Sequence, residues 1–163
     1  MIPTISVVGK SGVGKTSFLE KLVGELKRRN YRVAVIKHDT HGFDIDKPGK
    51  DTWRLGQVGS DVVVISSPSK MALIQKRSRE LSLEEIEALI GDQVDIILTE
   101  GYKRGNKPKI EISRAQVSDE LLCTEEELIA LATDQRFDMA VPHFALKDAM
   151  GLVDYLEKKV LGK

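Results

Sequence analysis

Gly9, Gly14, Lys15 and Thr16 fill the fixed positions of the pattern G-x-x-x-x-G-K-[ST] in "GKSGVGKTS". A chance match in a chain of this length is on the order of half a percent. Gly12 and Gly14 admit the positive or crowded backbone angles that turn successive N–H groups toward one anion. A helix N-terminus behind them adds partial positive charge. Lys15 is expected to reach the β- and γ-phosphates of a nucleotide, and the Thr16 hydroxyl to ligate Mg2+. Gly9, Ser11, Gly12, Val13, Gly14, Lys15, Thr16 and Ser17 are thus the expected nucleotide-binding residues, with Lys15 also catalytic. A glycine-rich turn that binds nothing is the plain alternative.

Such a loop works with an acid beside it. "DIILTEG" ends an apolar run in Glu100. A strand parallel to the one before the loop would bring this carboxylate to the metal side, to hold a Mg2+-bound water or orient the attacking nucleophile. Asp39, directly after "RVAVIKH", is either a further acid for the metal or an ordinary turn former. The guanine-reading motif Asn-Lys-x-Asp is absent, which leaves "ATDQ". Asp134 there either accepts from the N1–H and exocyclic amine of guanine or merely ends a strand. Lys10 either crosses to a partner's nucleotide, as a lysine at this spacing does in a dimeric branch of such proteins, or is a solvated surface residue.

The elements that must position these residues are legible. Ile2 to Val8 is short, apolar and rich in β-branched residues, as in a buried strand. Phe18, Leu19, Leu22, Val23 and Leu26 recur at helical spacing, with Asn30 as a stop. Arg32 to His38 is a second strand, completing a βαβ unit with parallel strands. Asp39 to Arg54 is polar, turn-rich and aperiodic, long for an idle loop. Asp61 to Ser66 and Met71 to Arg77 form an antiparallel hairpin. "SLEE" opens a short helix with Ile86, Leu89 and Ile90 inward and Gly91 beyond its end. Val94 to Gly101 is a fully apolar strand, and "KIEIS" at Lys109 to Ser113 is a half-buried one. Thr124 and Glu127 imitate a capping box, but Leu128 to Ala132 reads better as a strand. Asp148 caps a last helix with Leu152, Val153, Leu156 and Val160 inward.

Composition sets the bounds. The 163 residues, 41% hydrophobic and 31% charged, fit a single domain spanning residues 1–163. Twenty-five basic and 25 acidic residues cancel, so no overall field draws the chain to nucleic acid or to an anionic membrane. Cys123 is alone, the N-terminal residues lack a secretory h-region, and no run approaches a bilayer span, so a cytoplasmic location is expected.

The phosphate loop, then "VIKHDTHGFDIDKPGKDTWR", "ILTEGYK" and "PKIEISR", together resemble the MobB family of molybdopterin-guanine dinucleotide biosynthesis adaptors. The resemblance covers most of the first 114 residues in family order. It implies an α/β P-loop NTPase fold of three layers, a mostly parallel sheet with an antiparallel hairpin and helices on both faces. It also implies a homodimeric, weakly GTP-hydrolysing domain with GTP and Mg2+ as cofactors. Its partner would be a molybdopterin guanylyltransferase, with molybdopterin a second ligand. By position, Lys15 and Thr16 serve phosphate and Mg2+, Glu100 and Gly101 the metal side, and His38, His41, Asp46, Lys50, Asp51 and Arg54 a pterin or partner loop. Asp39 and Gly42 depart from the family pattern.

Read without the family, that loop offers imidazoles, carboxylates, Lys47, Lys50 and Arg54 for a phosphorylated polar ligand. A transition-metal site at His38, Asp39 and His41, and a merely solvated charged loop, are alternatives. Trp53 is expected to anchor the loop. Two other functions compete: a small-molecule kinase, whose Arg-rich lid would have to be "QKRSRE" (Gln75 to Glu80), and a non-catalytic GTP-gated module.

Overall fold

A computed structural model describes residues 2–162. The first strand, β1 (Thr4–Val8), is buried at every position, and both its neighbours come from far along the chain. It pairs in parallel with β5 (Ile96–Glu100) on one side and β6 (Lys109–Ser113) on the other. β2 (Val33–Lys37) adds to β5, and β7 (Leu128–Thr133) and β8 (His143–Phe144) extend the other edge. All pairings in this sheet, ordered β2-β5-β1-β6-β7-β8, are parallel.

Alternation along the strands decides what covers each face. Ile5, Val7, Ile96, Leu98, Ile110 and Ile112 point to one face and cluster with Phe18, Leu19, Leu22 and Leu26 of α1 (Lys15–Arg28) and Leu152, Val153 and Leu156 of α4 (Ala149–Leu156). Each fully buried Leu or Ile there contributes about 1.5–3 kcal/mol by leaving water. Both helices end as the sequence expects. Asn30 takes a left-handed φ of 66°, its amide donating to the Lys27 carbonyl at 3.0 Å, and Asp148 caps α4 by accepting from the Gly151 amide at 2.9 Å. Arg29 holds the two helices together through Glu25 on α1 and Asp154 and Glu157 at the other helix.

The opposite face differs from expectation. "KIEIS" alternates, which predicts a half-buried strand, yet all five residues of β6 are buried. The polar positions are satisfied rather than solvated. Lys109, 3% exposed, donates to the Gly105 carbonyl and to Glu127; Glu111, 1% exposed, accepts from the Leu122 amide at 2.7 Å and the Cys123 amide at 3.0 Å. The chain between β6 and β7 is thereby pinned over this face. Glu127 also accepts from the Thr124 amide at 3.0 Å, so the capping-box residues are real but close only a 3-10 turn before β7, as the strand reading requires.

Two compact units emerge from the contacts: Met1–His38 with Glu87–Lys163, and Asp39–Ile86. The second holds α2 (Asp51–Gln57), β3 (Val62–Ser67) and β4 (Lys70–Gln75), and the boundary falls inside α3 (Leu83–Ile90). β3 and β4 form the expected antiparallel hairpin, with Val64 opposite Leu73. α2 corrects the reading of Asp39 to Arg54 as structureless throughout. Its Gly56 faces the Val63 side chain, and Lys76 donates to the Gly56 carbonyl. Leu89, expected inward, is 74% exposed. At 3.6 residues per turn it lies about a quarter-turn from the line through Leu83, Ile86 and Ile90.

Candidate functional site

The phosphate loop joins β1 to α1, and its geometry follows from three glycines and one valine. Gly9 has φ 149°, and a Cβ there would come within 2.4 Å of the Ile112 carbonyl oxygen on β6. Gly12 and Gly14 have φ 81° and 91°, angles that L side chains adopt at a cost. Between them Val13 turns its side chain into the core, 2% exposed, and so fixes the loop to the sheet. Gly14 occupies the N-cap of α1 without a side-chain cap, and the first turn carries no acid. The leading amides of α1 therefore have no side-chain acceptor, the condition for receiving an anion.

Lys15 arches back across the loop, its Nζ donating to the carbonyls of Gly9 at 3.0 Å and Lys10 at 3.1 Å. Thr16 Oγ1 donates to both oxygens of Glu100, at 3.2 and 3.1 Å, although 84 residues separate them. The register explains the meeting: Glu100 is the last residue of β5, level with Val7 on one side and Lys37 on the other. Ser11 and Ser17 are exposed on the loop and the first turn. A hydroxyl and a carboxylate this close present hard oxygen donors of the kind a magnesium ion takes.

Behind Glu100, Gly101 has φ 105° and would place a Cβ 3.2 Å from that of His38. The His38 ring stacks on Tyr102, centroids 4.6 Å apart. Lys10 is tied within its own chain, its Nζ donating to Ser118 Oγ at 2.5 Å and pairing with Glu120 at 3.2 Å. Asp134 Oδ1 accepts the Ala115 amide at 2.8 Å, which makes it a tie between the chain after β6 and the chain after β7.

Residues 4–134 match the profile of the family described as "MobB: Molybdopterin guanine dinucleotide synthesis protein B". The chain belongs to the MobB family. It is 34% identical to the Escherichia coli molybdopterin-guanine dinucleotide biosynthesis adapter protein over 161 residues, covering 96% of this chain and 92% of that one. It is 32% identical to the Haemophilus influenzae adapter of the same name over 157 residues, covering 96% and 88%. A crystal structure of molybdopterin-guanine biosynthesis protein B superposes with a TM-score of 0.73 at 25% identity, covering 95% of this chain and 98% of that one. The Bacillus subtilis MobB structure gives 0.76 at 23% identity, covering 99% and 100%. The fold is accordingly the P-loop-type α/β fold of MobB structures, as the resemblance implied.

The remaining residues of the MobB-type loop lie in the smaller unit, whereas His38 closes the larger one. Asp39 and His41 are exposed, and Asp39 Oδ1 accepts the His41 amide at 2.8 Å in a local turn. Asp46 has φ 97° and accepts the Lys47 amide at 2.7 Å. Lys50 is the N-cap of α2, Asp51 its first residue, and Arg54 lies exposed one turn on. Trp53 is half-buried. Among the described residues no group of three or more His, Cys, Asp or Glu side chains is arranged to hold a metal ion. Sequence reasoning passed over Arg114, the residue after β6, whose Nε donates to the Val13 carbonyl at 3.3 Å. The signal was its place at the end of a strand adjoining β1.

Proposed function

We propose that this MobB-family protein is a GTP-binding, slowly hydrolysing adaptor that assists a separate nucleotidyltransferase in joining GMP to molybdopterin. The observation that carries the reading is the meeting of Thr16 with Glu100 beside the arched Lys15. The names of the relatives point to molybdopterin-guanine dinucleotide biosynthesis. Adjacent ligands of an octahedral Mg2+ with bonds of about 2.1 Å lie about 3 Å apart, and the Thr16 and Glu100 oxygens are separated by 3.1–3.2 Å. These two residues therefore fit the ion, which when bound would draw charge from the β- and γ-phosphates. Lys15, released from the Gly9 and Lys10 carbonyls, neutralises the same phosphates, and the first amides of α1 hold them in place. Glu100 then orients the attacking water.

A second copy of the chain completes the proposal. Val64, Ile65, Met71 and Leu73 are each at least half exposed on a two-stranded hairpin. Such a hairpin is marginal alone in water, and its open edges invite pairing. We place the homodimer contact here. The kinase alternative loses support because one of its two would-be lid arginines, Arg79, is engaged by Glu85 through two bonds of 2.8 and 2.6 Å, which leaves Arg77 alone for the lid. No helix among the described residues is long and apolar enough to cross a membrane, and we place the adaptor in the cytoplasm.

Calorimetric titration with GTP and ATP in Mg2+, alongside Lys15→Ala, tests the reading. GTP is expected to bind better than ATP and the variant to lose measurable affinity. Unchanged GTP binding by the variant would overturn the assignment.

A further inference from the structure

Arg114 is half-buried at the carboxyl end of β6, directly against the phosphate loop. Its Nε–H donates to the Val13 carbonyl, and one terminal nitrogen, Nη2, lies 3.5 Å from the point where a Cβ on Gly14 would stand. Among the described residues no carboxylate forms an ion pair with it, whereas Arg28, Arg29, Arg32 and Arg79 each have an acidic partner. A guanidinium half withdrawn from water and lacking a counter-charge is costly unless an anion arrives. The glycine at 14 leaves open the approach that any side chain would narrow. One carbonyl contact fixes the plane of the guanidinium and leaves its terminal N–H groups for a bidentate grip on phosphate oxygens.

We propose that Arg114 is a second cation of the nucleotide site, gripping the diphosphate from the helix end of the loop. Its position separates its duty from that of Lys15. Lys15 Nζ lies at the Gly9 and Lys10 carbonyls, the start of the loop, while Arg114 lies at Val13 and Gly14, next to the first turn of α1. Arg114 therefore grips the part of the ligand common to GDP and GTP and gives no preference for the γ-phosphate. The inference rests on the nucleotide-binding reading of the loop, and its test tells the two apart.

The experiment titrates the full chain, Arg114→Gln, Arg114→Lys and Lys15→Ala with GDP, with a non-hydrolysable GTP analogue and with inorganic pyrophosphate, in Mg2+. Circular dichroism and thermal unfolding confirm that each variant is folded. Glutamine keeps a neutral donor for the Val13 carbonyl and removes the charge, so a merely structural arginine would tolerate it. Arg114→Gln is expected to weaken GDP and the GTP analogue by a similar factor, about tenfold or more. Arg114→Lys should fall in between. Affinities within twofold of the parent for Arg114→Gln, or a loss confined to the GTP analogue, overturn the proposal. If the parent chain binds neither nucleotide, the GTP reading fails, and pyrophosphate decides on Arg114: binding that drops in Arg114→Gln upholds the diphosphate subsite, and binding that is absent or indifferent to the charge overturns it.

Discussion

At the scale of single residues, the site depends on groups that can meet only where strand ends coincide. The Glu100 carboxylate accepts from Thr16 with both oxygens, and nothing else in the geometry of the loop requires a carboxylate there. Glu100→Gln is therefore expected to keep GTP affinity within a few-fold and to lower GTP turnover roughly 100-fold, read by phosphate release at saturating GTP. Equal turnover would remove Glu100 from the chemistry. Gly9 is constrained from two sides, by φ 149° and by the Ile112 carbonyl 2.4 Å from any Cβ. Gly9→Ala should cost about 1–3 kcal/mol in urea unfolding, because backbone must move to admit one methyl group.

At the scale of elements, the buried polar face of β6 governs the segment that follows it. Glu111→Ala leaves the Leu122 and Cys123 amides without their acceptor, at about 1–3 kcal/mol for each group left unsatisfied. Cys123 reports on that segment: burial, with Glu111 beside it, pushes its thiol up to about 12. Alkylation by iodoacetamide at pH 8 should be slow in the parent chain and markedly faster in the variant. On α1, the hydrogen bonds from Arg28 and Arg29 hold the Glu25 carboxyl down to about 2, below the ordinary value of about 4.3. Because the folded value is the lower one, the stability it contributes is present above about pH 4.3 and lost as the pH falls toward 2. Glu25→Gln should flatten that acid limb in unfolding midpoints measured from pH 2 to 6. The sequence made α1, its Asn30 stop, and the strand carrying Glu100 legible because periodicity and glycine chemistry are local. It misrepresented "KIEIS" because alternation cannot distinguish water from a buried amide as the partner of Glu111. Arg114 escaped notice for a related reason, since its contact with Val13 spans 101 residues.

At the scale of the whole molecule, the proposed homodimer turns on the exposed hairpin. Ile65→Lys with Leu73→Glu is expected to leave the fold of the larger unit intact and to convert a dimer into a monomer in light scattering. An unchanged mass would move the contact elsewhere. The central place of β1 in the sheet carries a different consequence, one of timing. Both its neighbours follow it by roughly ninety to a hundred residues, so the first strand made waits longest for a partner. At about 5–20 residues per second, a growing chain holds β1 unpartnered for several seconds before β5 and β6 emerge. A sheet of such high contact order also closes slowly once synthesis ends. The phosphate loop, slung between β1 and α1 and shaped by the carbonyl of Ile112 on β6, has no binding geometry until then. On the proposed reading, nucleotide capture by a nascent chain would thus mark the docking of β6 beside β1, making the ligand a chemical clock for folding.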